Sequence, residues 1–149
     1  MTIGDLIGPD QVIVGWRAAD KTQLLQDVAG RAATSLGLDR RAIFDALQAR
    51  ENLGSTGLGK GFALPHARLS TINRTFVLFA RLARPIDFAA IDEQPVDLVI
   101  LLLTPSDDAA NQHLTTLATL SRPLRDAAFV RRLRQAADAA TVHRLLLGA

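Results

Sequence analysis

Reactive side-chain types concentrate in residues 50–68, near the middle of the chain. Glycine occupies positions 54, 57, 59 and 61, and Pro65-His66 follows a short apolar run. Glycine lets the backbone adopt positive φ and approach another group closely, while proline restricts the backbone that leads into His66. A neutral imidazole near its pKa is a good nucleophile toward phosphorus. We therefore predict that His66 accepts and passes on a phosphoryl group.

Arg50 and His113 are the predicted supports of this chemistry. Phosphoryl transfer depends on positioning and on donors close to the phosphoryl oxygens, which glycine N–H groups and cationic side chains provide. Arg50 follows Leu47 by three residues on a predicted helix and therefore emerges near its inward face. His113 precedes Leu117 by four residues on another predicted helix, so it faces inward with it. An inward histidine is usually a hydrogen-bonded core residue, and its part in the chemistry is a hypothesis.

The same residues resemble the patterns of other kinds of site only in part. Gly54 and Gly59-Lys60 fit the nucleotide-binding pattern G-x-x-x-x-G-K, but Gly61 stands where a serine or threonine should hold magnesium. The histidines lack the H-x-x-x-H or H-E-x-x-H spacing of a metal site, and no G-x-S-x-G hydrolase elbow is present. A plain glycine-rich turn explains the glycines but not His66. If the predicted donors suffice, we expect neither a metal nor a cofactor.

Composition limits the class of protein. A chain of 149 residues with 48% hydrophobic residues suits one globular domain, and the absence of cysteine excludes disulfides and thiolate chemistry. The N-terminus lacks the features of a signal peptide, and the longest apolar run, 98–103, is far short of the roughly 20 residues of a membrane span. We expect a soluble, cytosolic protein without membrane insertion. Six arginines in residues 122–149 favour a solvated helix face over a nucleic-acid site.

The pattern of elements predicts an α/β domain over residues 1–149. Predicted helices cover 21–36, 40–52, about 109–121, about 125–137 and 141–147. Predicted strands cover 12–14, 62–64, 76–82 and 96–103, with a turn or short strand at 85–88. The long apolar runs at 76–82 and 96–103 indicate strands covered on both faces. Interleaved strands and helices then favour one sheet with helices on both faces.

A resemblance to a known family extends over nearly the whole chain. Residues 50–68 carry the pattern R-E-x-L-G-S-T-G-L-G-x-G-x-A-L-P-H-A-R. It resembles the active-site signature of the fructose/mannitol-type (type 2) enzyme IIA domains of the bacterial phosphotransferase system. Segments 92–99 and 113–122 also look like family segments, and the chain is most similar to the nitrogen-regulatory branch. Lys60 and Ala67 depart from the usual family residues, but neither change removes a reacting group.

The resemblance implies roles for the three candidate residues. His66 would be phosphorylated on Nε2, with Nδ1 held by a backbone acceptor. His113 would be a second active-site histidine that donates to the phosphoryl group, and Arg50 would be the cation beside it. The implied fold is a single α/β domain with a mixed β-sheet flanked by helices.

The resemblance also implies partners, and three functions stay open. A phosphohistidine carrier of the HPr or NPr kind would supply the phosphoryl group. The chain would then be a regulator read by target proteins, or a sugar-specific enzyme IIA that feeds an enzyme IIB of a permease, or a non-catalytic binding module. We favour the regulator because no enzyme IIB or membrane segment is fused to it, and we leave the oligomeric state open. Phosphorylation should change which partners dock on exposed apolar groups near the loop, for which Leu58 and Phe62 are the candidates.

Overall fold

The computed structural model describes residues 2–107 and 110–149, which form an α/β fold around a six-stranded mixed sheet. The strands are β1 (Val12–Trp16), β2 (Gly57–Gly59), β3 (Phe62–Ala63), β4 (His66–Leu69), β5 (Phe76–Ile86) and β6 (Val96–Pro105). The helices are α1 (Lys21–Leu36), α2 (Arg40–Asn52), α3 (Ala110–Ser121), α4 (Ala127–Gln135) and α5 (Ala139–Leu147). Short 3₁₀ turns lie at Ile3–Asp5, Pro9–Gln11 and Arg122–Arg125.

The sheet has the order β1-β5-β6-β3-β2, and β4 also pairs with β6. β6 pairs antiparallel with β5 and parallel with both β3 and β4, so the predicted mixed sheet is confirmed. The end of β6 therefore lies directly beside β4, the strand that begins at His66.

Both faces of β6 are covered by apolar layers, as its sequence predicts. Val99, Leu101 and Leu103 belong to the core packed around α1 and α2, whereas Leu98 and its alternate neighbours belong to the core packed around α4 and α5. Alternate residues of a strand face opposite sides of a sheet. A nearly continuous apolar run is therefore what a central strand between two helical layers requires.

Local capping sets the bounds of α1 and α2, and both bounds are confirmed. The Asp20 carboxylate accepts a hydrogen bond from the Gln23 backbone N–H at 2.8 Å, which is a standard N-cap. Gly37 ends α1 with φ 67°, in the left-handed region that glycine adopts at little cost. Asp39 then caps α2, whose last turn carries Arg50.

The predicted strand at 62–64 is wrong at its end, and this changes the position of His66. β3 stops at Ala63, and a new strand, β4, begins at His66, so the histidine starts a strand instead of following one. Pro65 has no N–H to donate to a strand ladder, although its carbonyl accepts from Leu102 N–H at 3.0 Å. Part of the glycine stretch is also a strand, because β2 pairs antiparallel with β3.

The remaining corrections concern the ends of other elements. β5 continues through Pro85 to Ile86, where a turn or short strand was predicted, and its register with β6 is irregular in that part, which tolerates proline. β6 likewise runs to Pro105. The predicted helix at 125–137 is shorter, because Asp126 caps α4 after a 3₁₀ turn. The predicted start of α3 at position 109 lies outside the described residues.

Candidate active site

The three predicted site residues lie together. Arg50 comes from the last turn of α2, His66 from the start of β4, and His113 from α3. The Arg50 Nε–H donates to His66 Nε2 at 3.2 Å. The rings of His66 and His113 have centroids 5.6 Å apart and planes inclined by 50°. Residues far apart in the sequence therefore meet beside the end of β6.

The backbone fixes the protonation pattern of the His66 ring. His66 Nδ1 lies 2.8 Å from the carbonyl oxygen of Leu64, and a carbonyl can only accept, so Nδ1 carries the proton. The Nε2 lone pair is then available and faces the guanidinium of Arg50. This arrangement leaves Nε2 as the ring nitrogen that carries the lone pair.

The surroundings of His66 favour its neutral form. Burial lowers the pKa of His66, and the positive charge of Arg50 lowers it further, whereas the Leu64 carbonyl and the Glu51 carboxylate act in the opposite direction. The net pKa lies below the ordinary histidine value. A neutral ring keeps its lone pair at neutral pH, which nucleophilic attack requires.

Arg50 links the end of α2 both to Gly54, in the loop that follows the helix, and to His66. Its Nη1 donates to the Gly54 carbonyl at 2.8 Å while its Nε faces His66. Two bonds from one planar guanidinium fix its orientation better than one bond fixes an ammonium. The cation is therefore held beside His66 Nε2 by contacts within the chain itself.

The sequence analysis gave Glu51 no role. Glu51 holds the segment after α2 at Thr56, whereas Arg50 holds it at Gly54. Its buried carboxylate accepts from the Thr56 backbone N–H at 3.0 Å and from the Thr56 hydroxyl. Lys21 Nζ forms an ion pair with it at 2.9 Å and lies 4.6 Å from the ring centroid of Phe88. The neighbours Arg50 and Glu51 therefore hold the two ends of the same loop. Only the position of Glu51 inside the signature could have indicated this role.

Two of the glycines are required, Gly57 by packing and Gly61 by its backbone conformation. A Cβ at Gly57 would lie 2.8 Å from the Cβ of Ala90, and a Cβ at Gly61 would lie 2.3 Å from Arg134 Nη2. Gly61 also has φ 82°, which other residues rarely adopt. These glycines allow close approach of neighbouring segments and so shape the hairpin that leads to His66.

His113 is held by a side chain, and sequence reasoning missed this partner. It is buried, with 7% exposure, and its Nδ1 lies 2.7 Å from the hydroxyl oxygen of Thr104 on β6. The third histidine, His143, lies elsewhere on α5, where its Nε2 is 3.2 Å from the Ile7 carbonyl. That contact is a structural one, outside the group formed by Arg50, His66 and His113.

A cavity of about 200 Å³ opens beside His66. It is lined by Arg50, Thr56, Leu58, Leu64, His66, Leu117, Ala118 and Ser121. Leu58 is 50% exposed, as predicted, and Leu114 beside His113 is exposed too. The prediction of an exposed Phe62 is wrong, because β3 places this ring in the core under α4 and α5. The site therefore has polar groups inside and apolar groups at its surface.

Comparison with known proteins decides the family. The family model described as "Phosphoenolpyruvate-dependent sugar phosphotransferase system, EIIA 2" matches residues 5–148. The chain belongs to this family. The predicted resemblance to type-2 enzyme IIA is thereby confirmed.

Relatives within the enzyme IIA family match nearly the full length. A "Nitrogen regulatory protein" of Bradyrhizobium diazoefficiens is 44% identical over 146 residues, 98% of this chain and 95% of the relative. One of Pseudomonas aeruginosa is 38% identical over 144 residues, 95% of this chain and 92% of the relative. The crystal structure of nitrogen regulatory protein IIA-Ntr from Neisseria meningitidis has a TM-score of 0.90 at 30% identity, covering 97% of this chain and 98% of that one. These matches confirm the fold and the likeness to the nitrogen-regulatory branch.

Within residues 2–107 and 110–149, no helix of this enzyme IIA chain combines the length and the apolar character that crossing a bilayer requires.

Proposed function

We propose that this chain is a phosphocarrier and regulatory protein of the bacterial phosphotransferase system, with His66 as the phosphoryl acceptor. One observation carries the proposal: the bond from Nδ1–H to the Leu64 carbonyl leaves the Nε2 lone pair beside the Arg50 guanidinium. A histidine that only packed would have no need of a matched cation at its free nitrogen. Family membership and the names of the relatives support the same role.

The proposed transfer begins at Nε2. The His66 Nε2 lone pair attacks the phosphorus of a phosphohistidine on an HPr- or NPr-like carrier, and the carrier's N–P bond breaks with its electron pair returning to that imidazole. His66 keeps its Nδ1 proton, which the Leu64 carbonyl stabilises as the ring gains charge. No proton has to move during the step.

Arg50 changes partner during this reaction. In the unphosphorylated site its Nε–H donates to the His66 lone pair, and that lone pair is consumed when the N–P bond forms. The guanidinium is then free to donate to the phosphoryl oxygens, which are stronger acceptors. His113, with its ring centroid 5.6 Å from that of His66, is proposed as a second donor.

Phosphorylation of His66 is proposed as the signal that partners read. The added phosphoryl group carries about −1.5 to −2 charges, and it lies next to the exposed apolar side chains of Leu58 and Leu114. A partner that buries these groups without a matching cation binds the unphosphorylated form, and one that supplies a cation binds the other. Cytoplasmic location and a single enzyme IIA domain over residues 1–149 stay predictions that belong to this proposal.

A second candidate is a sugar-specific enzyme IIA that passes the phosphoryl group to an enzyme IIB of a fructose- or mannitol-type permease. The family description names a sugar phosphotransferase system, and the same His66 chemistry would serve it. The names of the nearly full-length relatives favour the regulator.

Radioactive phosphoryl transfer tests the first step. The chain is incubated with labelled phosphoenolpyruvate, enzyme I and an HPr- or NPr-type carrier, and the expected result is label on the wild type and none on His66→Ala. His143→Ala is the matched control, because it removes a histidine outside the site, and it should be labelled as the wild type is. Equal labelling of His66→Ala and wild type would sink the proposal. Rapid passage of the label to a purified enzyme IIB would favour the second candidate.

A further inference from the structure

A buried hydroxyl lies among apolar side chains of β6. Leu98, Ile100 and Leu102 pack in the core under α4 and α5, and Thr104 continues this row because alternate strand residues share a face. Thr104 has 0% exposure. Leu102 pairs in register with His66, so this threonine lies two positions along the strand from a direct neighbour of the reacting histidine.

Among the described residues, His113 Nδ1 is the group that can accept a hydrogen bond from the Thr104 hydroxyl. Thr104 Oγ1 lies 2.7 Å from His113 Nδ1, and across residues 2–107 and 110–149 the structure gives the threonine side chain no other hydrogen-bond partner. If Nδ1–H donated to the oxygen, the hydroxyl proton would be buried without an acceptor, which is unfavourable. If the hydroxyl donates to Nδ1, both groups are satisfied. Nδ1 of His113 is then the acceptor, and the ring proton is on Nε2.

We propose that Thr104 is a positioning residue that fixes His113 in the Nε2–H tautomer. The two rings of the site then hold opposite tautomers, because His66 has its proton on Nδ1. His66 offers a lone pair at Nε2 for attack, and His113 offers an N–H donor at Nε2 for the phosphoryl oxygens. Its part in phosphoryl transfer rests on the proposed function, whereas the tautomer of His113 does not.

Ring ¹⁵N NMR of the unphosphorylated full chain tests the tautomer without any phosphoryl donor. The chain has three histidines, so His66→Gln and His143→Gln assign the ring signals by elimination. We expect wild-type His113 to have a protonated Nε2 and a hydrogen-bonded, unprotonated Nδ1. In Thr104→Val, which keeps the shape and loses the donor, the ring is no longer held in one tautomer, so the averaged Nδ1 and Nε2 resonances should move toward each other, and Thr104→Ser should restore their wild-type separation. A proton on His113 Nδ1 in the wild type, or an unmoved resonance in Thr104→Val, overturns the proposal.

Thr116→Val is the matched control for a general disturbance of α3. Thr116 has 1% exposure, and its hydroxyl donates to the Gln112 carbonyl within the same helix at 2.9 Å. Its loss removes a buried hydroxyl of the same kind without touching His113 Nδ1. We expect unchanged ring signals, and a shift as large as that of Thr104→Val would show that helix disturbance, not the hydroxyl bond, controls the ring.

The rate of phosphoryl transfer from the carrier tests the positioning role. The loss of one buried hydrogen bond to a donor predicts a rate about tenfold slower for Thr104→Val, with most of the loss recovered in Thr104→Ser. A wild-type rate in Thr104→Val, or an equally slow Thr104→Ser, would contradict the role. If the wild type accepts no phosphoryl group at all, the proposed function fails, and the ring spectra still decide the tautomer.

Discussion

The two histidines of the site are held in different ways. His66 is oriented by a backbone carbonyl two residues earlier, at Leu64, whereas His113 is oriented by the hydroxyl of Thr104, which comes from a different element. A backbone acceptor is present whatever side chain the residue carries, while a side-chain partner disappears with one substitution. The proposed phosphoryl acceptor, His66, therefore has the more robust support, and the proposed donor, His113, has the more fragile one.

After His66 itself, Arg50 is expected to have the largest effect on the rate of phosphoryl transfer. Arg50 contacts His66, the histidine that a backbone carbonyl orients. Arg50→Ala removes the cation beside Nε2, and the loss of a charge-assisted hydrogen bond of about 1.5–3 kcal/mol predicts a transfer rate roughly 10–100-fold slower. Arg50→Lys should recover only part of it, because an ammonium cannot bond Gly54 and face His66 with the same planar geometry. Arg41→Ala, which removes an exposed arginine from α2, is the control and should react normally. A normal transfer rate in Arg50→Ala would show that the Arg50 cation does not contribute to phosphoryl transfer.

His113 should show a smaller effect, because a neutral donor contributes less than a cation. We expect His113→Ala to slow phosphoryl transfer about tenfold, and His113→Gln, which keeps an N–H donor, to be faster than His113→Ala. Single-turnover rates with the phosphorylated carrier measure this. If His113→Ala were slower than Arg50→Ala, the ranking of the two supports would be reversed.

The pH dependence of transfer sharpens the same contrast. Protonation of His66 removes the lone pair, and burial and Arg50 lower its pKa, so the rate should stay constant on lowering the pH until below the ordinary histidine value of about 6.5. Arg50→Ala should move this midpoint upward, because a positive neighbour is lost. The pH profile is measured with a carrier phosphorylated beforehand. A midpoint that moves downward in Arg50→Ala would contradict the assigned electrostatics.

The smallest effect is expected for Leu64→Ala. This substitution keeps the carbonyl that accepts from His66 Nδ1, so the His66 tautomer should be unchanged in ring ¹⁵N spectra, although packing near the cavity is lost. The paired experiment is Thr104→Val, which should alter the His113 ring. Equal disturbance of both rings in their respective variants would show that the backbone support is no more robust than the side-chain support.

The features that the sequence predicts correctly depend on interactions between residues close together in the chain. Asp20, Gly37 and Asp39 set the helix bounds through caps made within a few residues. The apolar run of β6 indicates a strand between two layers, because such a strand needs apolar groups on both faces. The signature around His66 marks the site, since its residues lie within one short segment.

Tertiary partners explain what the sequence does not predict. The ion pair of Glu51 with Lys21 is not indicated by helix periodicity, because it depends on how α1 packs beside α2. Thr104 looks like the end of an apolar run, and its bond to His113 depends on the placement of α3 over β6. The burial of Phe62 was not predicted, since a two-residue strand leaves little periodicity to show which face is buried.

The position of the phosphoryl group tests the central claim most directly. The chain, labelled with ¹⁵N in its histidine rings, is phosphorylated by its carrier, and ³¹P–¹⁵N coupling identifies the nitrogen bonded to phosphorus. We predict coupling to Nε2 of His66 alone, with the proton retained on Nδ1. Phosphorus on Nδ1 of His66, or on either other histidine, would contradict the account.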